Sequence, residues 1–323
     1  MKKKIKILIL IISAIVILLF GVGIFAGNYL YNFALNPESE RSEFHEADIN
    51  QTNNSVVREV EPEETDEEWF DKIGYGERTI IADFDGIHLF AYQIEQKKPT
   101  DKWVILSHGY AGNALQNLRS ARYFYEMGYN VLMPDARGHG KSDGKYIGMG
   151  WHDRLDLVQW IDDIIKVDDT SQIVLYGVSM GGATVMMTSG EDLPDNVKAI
   201  VEDCGYASVQ DEFSHQITGV FDIPAFPALD FASLVTKARA GYSFKEASAV
   251  KQVAKSKTPI LFIHGTNDTF VPYEMVYELY EAANVEKDVL VVEGAGHAGA
   301  SNVLGAEYWE EVDQFISQYV KQD

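Results

Sequence analysis

One serine of this chain lies in a sequence context that favours nucleophilic chemistry. Ser179 is the centre of the motif G-x-S-x-G at residues 177–181, between the apolar, strand-like residues 172–176 and the helix-like residues 183–187. At such a junction the serine backbone is strained, and glycine is needed on both sides because a side chain would collide with the neighbouring strand or helix. The hydroxyl is then held at the carboxyl edge of a sheet. We therefore interpret Ser179 as a candidate nucleophile.

A serine hydroxyl is a weak nucleophile at its own pKa and needs a neighbouring base. Of the eight histidines, His297 is the best placed, because it follows the last predicted strand in the glycine-rich residues 294–299. His108 and His264 end predicted strands in His-Gly turns, where the side chain is more often a structural hydrogen-bonding group. We interpret His297 as the base.

The base in turn needs an acid that orients it. Asp268 lies just past a predicted strand at residues 259–263, so that serine, aspartate and histidine follow one another in this order along the chain. Asp203 is the rival, since it also follows a predicted core strand. We favour Asp268 as the acid and expect a structural or pocket role for Asp203.

Two backbone amides are candidates for binding an oxyanion. The amide of Met180 lies at the N-terminus of the helix that follows the serine, where partial positive charge accumulates. The second amide is expected from the loop after residues 103–107, where Tyr110 follows the His-Gly turn. A further glycine-rich turn at residues 134–142 has neither Walker nor dinucleotide-binding spacing, and we interpret it as structural.

Strand and helix signals alternate along most of the chain. An Asp-Gly pair at residues 85–86 predicts a hairpin and hence an antiparallel start. The strict alternation that follows indicates right-handed crossovers and a mostly parallel sheet with helices on both faces, which is an α/β fold. The predicted strands cover residues 78–84, 87–94, 103–107, 130–134, 172–176, 197–201, 259–263 and 288–292, and the predicted helices cover residues 114–127, 151–166, 180–189, 273–283 and 305–320.

A long insertion separates two of the core strands. Residues 206–255 exceed the length of an ordinary α/β connection and are rich in Phe and Leu around Pro224 and Pro227. We interpret this insertion as a small helical cap over the carboxyl edge of the sheet that supplies much of a substrate pocket. The alternative is a structural insertion packed away from the site.

Length and composition set further bounds. The 323 residues are 46 % hydrophobic, which is enough for one large core, and the net charge of −22 argues against nucleic acid as a partner, because phosphate binding needs a basic surface. Cys204 is the only cysteine, so an intramolecular disulfide is impossible. We interpret it as a small buried residue rather than a reactive thiol.

The N-terminal segment predicts a membrane anchor. Lysines precede an uncharged apolar run at residues 7–26, and interfacial aromatics follow it, so residues 1–35 are predicted to be an uncleaved signal anchor with the rest of the chain outside the cell. The alternative is a secreted protein after signal cleavage. Residues 36–68 are predicted to be an acidic, flexible linker with at most a fraying helix near residues 67–72, followed by the folded domain at residues 69–323.

The chain from about residue 73 to the C-terminus resembles the α/β-hydrolases. It is most similar to the membrane-anchored or exported serine aminopeptidase-like and prolyl-oligopeptidase-like acyl hydrolases of Gram-positive bacteria. The resemblance implies a triad of Ser179, Asp268 and His297, no cofactor and no metal, and hydrolysis of esters or amides. The motifs that carry it are H-G at residues 108–109, D-A-R-G-H-G-K-S at 135–142, G-V-S-M-G at 177–181, H-G-T-N-D at 264–268, V-P at 271–272 and G-H at 296–297.

Three functions are compatible with these features. The first is a carboxylesterase-like serine hydrolase that acts on a small-molecule ester or a short peptide. The second is a serine aminopeptidase, in which Asp203, Glu202 or Asp211 would bind the amino terminus of the substrate. The third is a binding protein that keeps the fold without catalysis, against which the complete set of triad motifs argues.

Overall fold

The computed structural model describes residues 2–39 and 64–321, apart from the side chains of residues 220 and 221. One eight-stranded sheet forms its centre. The order is β1-β2-β4-β3-β5-β6-β7-β8, in which β2 is antiparallel to β1 and β4 and the other pairs are parallel. The strands are β1 (Gly76–Ile81), β2 (His88–Ile94), β3 (Lys102–Ser107), β4 (Asn130–Pro134), β5 (Gln172–Val178), β6 (Val197–Asp203), β7 (Ile260–Gly265) and β8 (Lys287–Val292). The predicted mostly parallel sheet with an antiparallel start is confirmed.

Helices cover both faces of this sheet. A short 3-10 helix at Ala114–Asn117 precedes α3, so the predicted helix at residues 114–127 begins with a tighter turn. The helices are α1 (Lys2–Leu35), α2 (Asp66–Ile73), α3 (Leu118–Glu126), α4 (Asp153–Val167), α5 (Met180–Thr188), α6 (Val209–Phe221), α7 (Ala225–Ala240), α8 (Ala249–Val253), α9 (Met275–Ala282), α10 (Ala300–Leu304) and α11 (Ala306–Ile316).

The turn between β1 and β2 is wider than the two-residue turn predicted from the Asp-Gly pair. β1 ends at Ile81, and the backbone amide of Ala82 donates to the carbonyl of Ile87 at 2.8 Å. Within this turn, the carboxylate of Asp85 binds the buried guanidinium of Arg137 at 2.9 Å. This tertiary contact is not visible in the local Asp-Gly signal.

The sheet separates two apolar cores. Successive side chains of a strand point to opposite faces, so that in β3 Ile105 belongs to one core while Val104 and Leu106 belong to the other. Two residues of α1, Tyr31 and Leu35, are buried in the same core as Ile105. The N-terminal helix is therefore part of the folded body at its C-terminal end.

The helix before the first strand is a fixed element, whereas the sequence predicts at most a fraying turn there. The hydroxyl of Thr65 accepts the amide of Glu68 at 3.1 Å, and the Glu68 carboxylate accepts the amide of Thr65 at 3.0 Å, which forms a capping box. Trp69 and Phe70 are buried on the second core. The remainder of the predicted acidic linker, residues 40–63, lies outside the described residues.

α1 is apolar enough, with a mean hydropathy of 3.2, and long enough to cross a membrane, which is compatible with an anchor or a signal sequence. Its 34 residues correspond to about 51 Å, whereas a hydrocarbon core of about 30 Å needs about 20 residues. The C-terminal half of α1, from the end of the apolar run onward, packs on α7. A side chain at Gly23 would overlap the ring of Phe231, and one at Gly27 would come within 2.6 Å of the Phe231 backbone.

Polar contacts continue this interface beyond the glycines. The guanidinium of Arg239 donates to the side-chain oxygens of Asn28 and Asn32, each at 2.8 Å, and lies over the ring of Tyr31 at 4.0 Å. The glycine spacing is the G-x-x-x-G pattern that allows two helices to approach closely. The sequence therefore contained a signal for this interface in addition to the signal for a membrane span.

The two ends of the long insertion lie next to each other. Ser208 and Ser248 pair as an isolated bridge, and α6 and α7 lie between them. α8 follows the bridge, and both Ala249 and Val253 are buried in the main core. The two helices α6 and α7 thus form the cap, whereas the last residues of the predicted insertion belong to the body.

We expect that Gly27→Leu lowers the stability of the full-length protein in detergent. A side chain at this position must push α1 away from α7, and overpacking of this kind should lower the thermal midpoint by about 3–10 °C. Gly21→Leu is the matched control, because nothing lies within 4 Å of a side-chain carbon built at Gly21. Equal midpoints for the two variants would show that the interface between α1 and α7 does not contribute to stability.

Candidate active site

The turn from β5 into α5 has the geometry that the G-x-S-x-G motif predicts. Ser179 has φ 58° and ψ −120°, a left-handed conformation that costs energy for a residue with a side chain. A side chain at Gly177 would overlap the carbonyl of Gly181, and one at Gly181 would overlap the carbonyl of Ser107. Both glycines are therefore required for this close packing.

Three side chains that the sequence singled out form one chain of hydrogen bonds. His297 Nδ1 lies 2.7 Å from Asp268 Oδ2, and His297 Nε2 lies 2.8 Å from Ser179 Oγ. Because a carboxylate oxygen only accepts, Nδ1 carries the proton, and Nε2 is left to accept the hydroxyl proton of the serine. All three side chains are buried. This arrangement activates a serine hydroxyl as a nucleophile.

The carboxylate of Asp268 accepts four hydrogen bonds. Asp268 Oδ1 accepts the amides of Phe270 and Val271, each at 2.9 Å, and Oδ2 accepts His264 Nε2 at 3.1 Å in addition to His297. Burial alone would raise the pKa of Asp268, but the two histidines outweigh it and hold the pKa well below its usual value. The carboxylate is thus ionised and fixed in orientation.

The surroundings of His297 stabilise a proton that the imidazole accepts. Burial disfavours an imidazolium, but the neighbouring Cys204 and the carboxylate of Asp268, both hydrogen-bonded to the ring, raise the pKa of His297 above its usual value. A proton taken from Ser179 is accordingly stabilised on the imidazole.

Asp203, the alternative acid, does not hydrogen-bond His297 Nδ1. Its carboxylate accepts the hydroxyl of Tyr308 at 2.8 Å, and burial raises its pKa to about 6. Its backbone carbonyl accepts the amide of Ser179 at 2.8 Å and so helps to hold the turn. The structure thus places Asp268, and not Asp203, against His297, and it gives Asp203 a supporting position.

The loop after β3 lies against the serine. A side-chain carbon at Gly109 would be 3.6 Å from Ser179 Cβ. His108 fixes this loop, since its Nδ1 donates to the Gly109 carbonyl at 2.8 Å and its Nε2 accepts the amide of Ala136 at 3.0 Å. Burial lowers the pKa of His108, which suits a neutral, structural histidine. The structural role expected for His108 fits these contacts.

A partly open cavity lies next to Ser179. Tyr110 and Met180, the two residues predicted to supply oxyanion amides, both line it. Which amides point at an oxyanion stays a prediction. The cap contributes Glu212, Phe213 and Gln216, so the insertion lies over the site rather than away from it. The remaining lining residues are Met149, Tyr206, Phe270 and Val271.

Glu212 is a site residue that sequence reasoning missed. It is buried in the cap, and one carboxyl oxygen accepts Gln216 Nε2 at 2.8 Å while the other has no hydrogen-bond partner. Burial raises its pKa to about 8. The side chain is therefore a neutral acid at pH 7 that faces the same cavity as Ser179. The neighbouring Asp211, which the sequence analysis considered instead, is exposed.

Cys204, the single cysteine, lies next to His297. Cys204 is buried, as the sequence predicts, and burial raises its pKa to about 12. One ligand-type atom from each of Cys204, Asp268 and His297 falls within 4.8 Å of the other two. The thiol of Cys204 hydrogen-bonds the ring of His297, which is itself bonded to Asp268, and these contacts account for the proximity.

The sheet order, the strained turn and the hydrogen-bonded residues at the carboxyl ends of the strands define an α/β-hydrolase. More specifically, the chain belongs to the prolyl oligopeptidase family, whose model matches residues 116–323. This agrees with the resemblance that the motifs indicate.

Individual proteins and structures are similar to this chain. The Bacillus subtilis protein YqkD is 28 % identical over 218 residues, which cover 67 % of this chain and 72 % of YqkD. The Arabidopsis thaliana α/β-hydrolase domain-containing protein WAV2 is 28 % identical over 250 residues, or 73 % of this chain and 76 % of that protein. The Pyrococcus furiosus esterase Pf2001 superposes with a TM-score of 0.64 at 25 % identity, covering 81 % of this chain and 97 % of the esterase. These similarities support a hydrolase of the α/β fold.

We expect the two aspartates to differ sharply on substitution. Asp268→Asn should lower kcat by about 10³–10⁴-fold, because it removes the carboxylate that orients His297 and stabilises its charge. Asp203→Asn should lower kcat by less than about tenfold, since Asp203 does not touch the base. Steady-state kinetics on a simple p-nitrophenyl ester measure both. A larger loss in Asp203→Asn than in Asp268→Asn would reverse the choice of acid.

Proposed function

We propose that this protein is a serine hydrolase that cleaves carboxylic esters through an acyl-enzyme intermediate. The observation that carries the proposal is the unbroken chain of hydrogen bonds from Asp268 through His297 to Ser179, which opens into a largely apolar cavity. The similarity to an esterase supports ester substrates. A binding protein without catalysis would have no need of the strained serine and its aligned base.

Acylation begins when Ser179 Oγ attacks the carbonyl carbon and its proton passes to His297 Nε2. Asp268 stabilises the imidazolium that results, and the amides of Met180 and Tyr110 stabilise the oxyanion. The bond to the alcohol oxygen then breaks as His297 returns the proton to that oxygen. The alcohol leaves, and the acyl group stays on Ser179.

Deacylation repeats these steps with water. His297 takes a proton from a water molecule that attacks the acyl carbonyl, and the same amides stabilise the second oxyanion. Collapse of this intermediate breaks the bond to Ser179 Oγ, which recovers its proton from His297. The products are a carboxylic acid and the regenerated enzyme.

We also propose that α1 anchors the protein in the cell membrane with the catalytic domain outside. The lysines before the apolar run support this orientation, because basic residues stay on the cytoplasmic side. The packing of α1 on α7 supports retention of the segment, since cleavage would remove buried residues such as Leu35 from the core. A secreted protein after signal cleavage is the alternative.

Peptidase action is the second candidate function, and two observations favour it. The family is that of prolyl oligopeptidases, and Glu212 places a carboxyl group with one unpaired oxygen in the cavity beside Ser179. When ionised, this group would attract the amino terminus of a short peptide. Glu212→Gln should then abolish cleavage of an unblocked peptide p-nitroanilide, whereas cleavage of a neutral ester should persist.

We expect a fluorophosphonate probe to label the full-length protein in detergent and to fail on Ser179→Ala. The probe reacts with serine hydroxyls that a neighbouring base activates, and Ser179 is the one aligned with His297. Ser317→Ala, at the end of α11, is the control and should label like the parent protein. In-gel fluorescence measures labelling. Equal labelling of Ser179→Ala, or none of the parent protein, would contradict the proposal.

The pH profile of ester cleavage should show the ionisation of the Glu212 carboxyl. Its carboxyl is neutral below its raised pKa of about 8 and ionises above it. The negative charge then repels the oxyanion formed at Ser179 in the same cavity, so kcat/KM for a neutral ester should fall above pH 8. In Glu212→Gln this fall should disappear because the amide does not ionise. An unchanged alkaline limb in the variant would show that Glu212 does not control the reaction.

A further inference from the structure

A second cavity lies beside the cavity at Ser179. Phe213 and Gln216 line both, so these two side chains form the wall that the two spaces share. The second cavity is almost entirely apolar, because Gln216 is the only polar residue among those that line it. An apolar space separated from a nucleophile by only two side chains has the chemistry to hold a hydrocarbon chain.

The N-terminal helix forms one wall of this second cavity. Leu30, Phe33 and Ala34 of α1 face Leu229 and Ala232 of α7 across it. The helix that is predicted to cross the membrane thus contributes side chains to a space that shares a wall with the cavity beside Ser179.

The same helix also touches the loop that is expected to bind the oxyanion. The hydroxyl of Tyr110 donates to the carbonyl of Ala34 at 2.6 Å, and the amide of Ile147 donates to the carbonyl of Leu35 at 2.9 Å. The last turn of α1 is therefore fixed to the body next to the Ser179 cavity.

The contacts between α7 and α1 show which part of α1 lies beside the cap. The ring of Phe231 contacts Phe20, with centroids 5.6 Å apart, whereas Arg239 contacts Asn28 and Asn32. The two helices hence run in the same direction, and the beginning of α7 lies beside the apolar run of α1. Asn28 is the first charged or amide residue after Lys6, which marks the end of that run.

The tip of the cap, which lies beside the apolar run of α1, carries exposed apolar side chains. Ile223, in the turn between α6 and α7, and Phe226, at the start of α7, are 40 % and 78 % exposed. Exposed side chains of this kind suit the boundary between lipid headgroups and acyl chains. With α1 across a membrane, the cap tip enters the outer layer of lipid, next to the second cavity.

We infer that the second cavity binds the acyl chain of a long-chain ester that resides in the membrane, with the ester carbonyl at Ser179. This inference rests on the proposed function and names its substrate class. The acyl chain passes from the lipid, beside α1, into the space between α1 and the cap. Water-soluble short-chain esters fill only the cavity beside Ser179.

The first test compares acyl-chain lengths in the full-length protein reconstituted in phosphatidylcholine vesicles. Ala34→Phe fills the second cavity from α1, and Ala14→Phe makes the same change where α1 is exposed. Each methylene kept out of an apolar site weakens binding roughly threefold to fourfold. The ratio of kcat/KM for p-nitrophenyl palmitate to that for p-nitrophenyl butyrate should fall at least about tenfold in Ala34→Phe and stay unchanged in Ala14→Phe.

Two results of this comparison would overturn the inference. One is a parent protein that cleaves butyrate but not palmitate. The other is an unchanged palmitate-to-butyrate ratio in Ala34→Phe, including an equal loss of both activities. Failure of the parent protein to cleave either ester would instead contradict the proposed function itself.

The second test needs no variant that must fold. A fluorophosphonate with a hexadecyl chain and a terminal diazirine reacts with Ser179, where the bond to phosphorus forms as fluoride leaves. Irradiation then links the chain end to its neighbours, which mass spectrometry identifies. Cross-links to residues 30–34, Leu229 or Ala232 support the inference. Labelling at Ser179 with cross-links only elsewhere overturns it and leaves the serine hydrolase standing, whereas no labelling at Ser179 contradicts the proposed function.

Discussion

The hydrogen bond from His297 Nδ1 to Asp268 Oδ2 is the contact on which the site depends, because it orients the imidazole toward the serine. The two residues lie on loops after β7 and β8, which are neighbouring parallel strands, so both loops emerge at the same edge of the sheet. The loops are joined further by the amide of Asn267, which donates to the carbonyl of Ala295 at 2.9 Å. A side chain at Gly265 would overlap that same carbonyl, which explains the glycine. The geometry of the base is thus a consequence of strand order.

The sheet and the three hydrogen-bonded residues could be predicted from the sequence because each depends on local signals. Ser179, Asp268 and His297 lie three to five residues after apolar runs, in turns that contain glycine, and the α/β alternation brings strand ends to one edge. Glu212 could not be found in this way, since it lies on a cap helix whose placement over the serine depends on tertiary packing. Two other local signals are present in the sequence. The capping box at Thr65 marks the start of α2, and the paired glycines of α1 mark its close contact with α7.

The N-terminal helix, which we propose as the membrane anchor, also contributes to the cavities around the site. Its apolar first part has few buried residues, whereas Gly27, Tyr31 and Leu35 are buried against the cap and the body. An anchor joined through a long flexible linker alone would leave the catalytic domain free to tumble. Here the end of the helix is packed on the cap and the body, and it supplies side chains to a pocket that shares a wall with the cavity beside the serine. Attachment and substrate access are therefore proposed to share one structural element.

The most direct measurement of the central claim is the mass of the full-length protein quenched in acid during turnover of a p-nitrophenyl ester. The account predicts a mass increase equal to one acyl group, located by peptide fragmentation on Ser179 and formed together with a burst of p-nitrophenol. Hydrolysis without any covalent acyl adduct, or an adduct on a different residue, would contradict it.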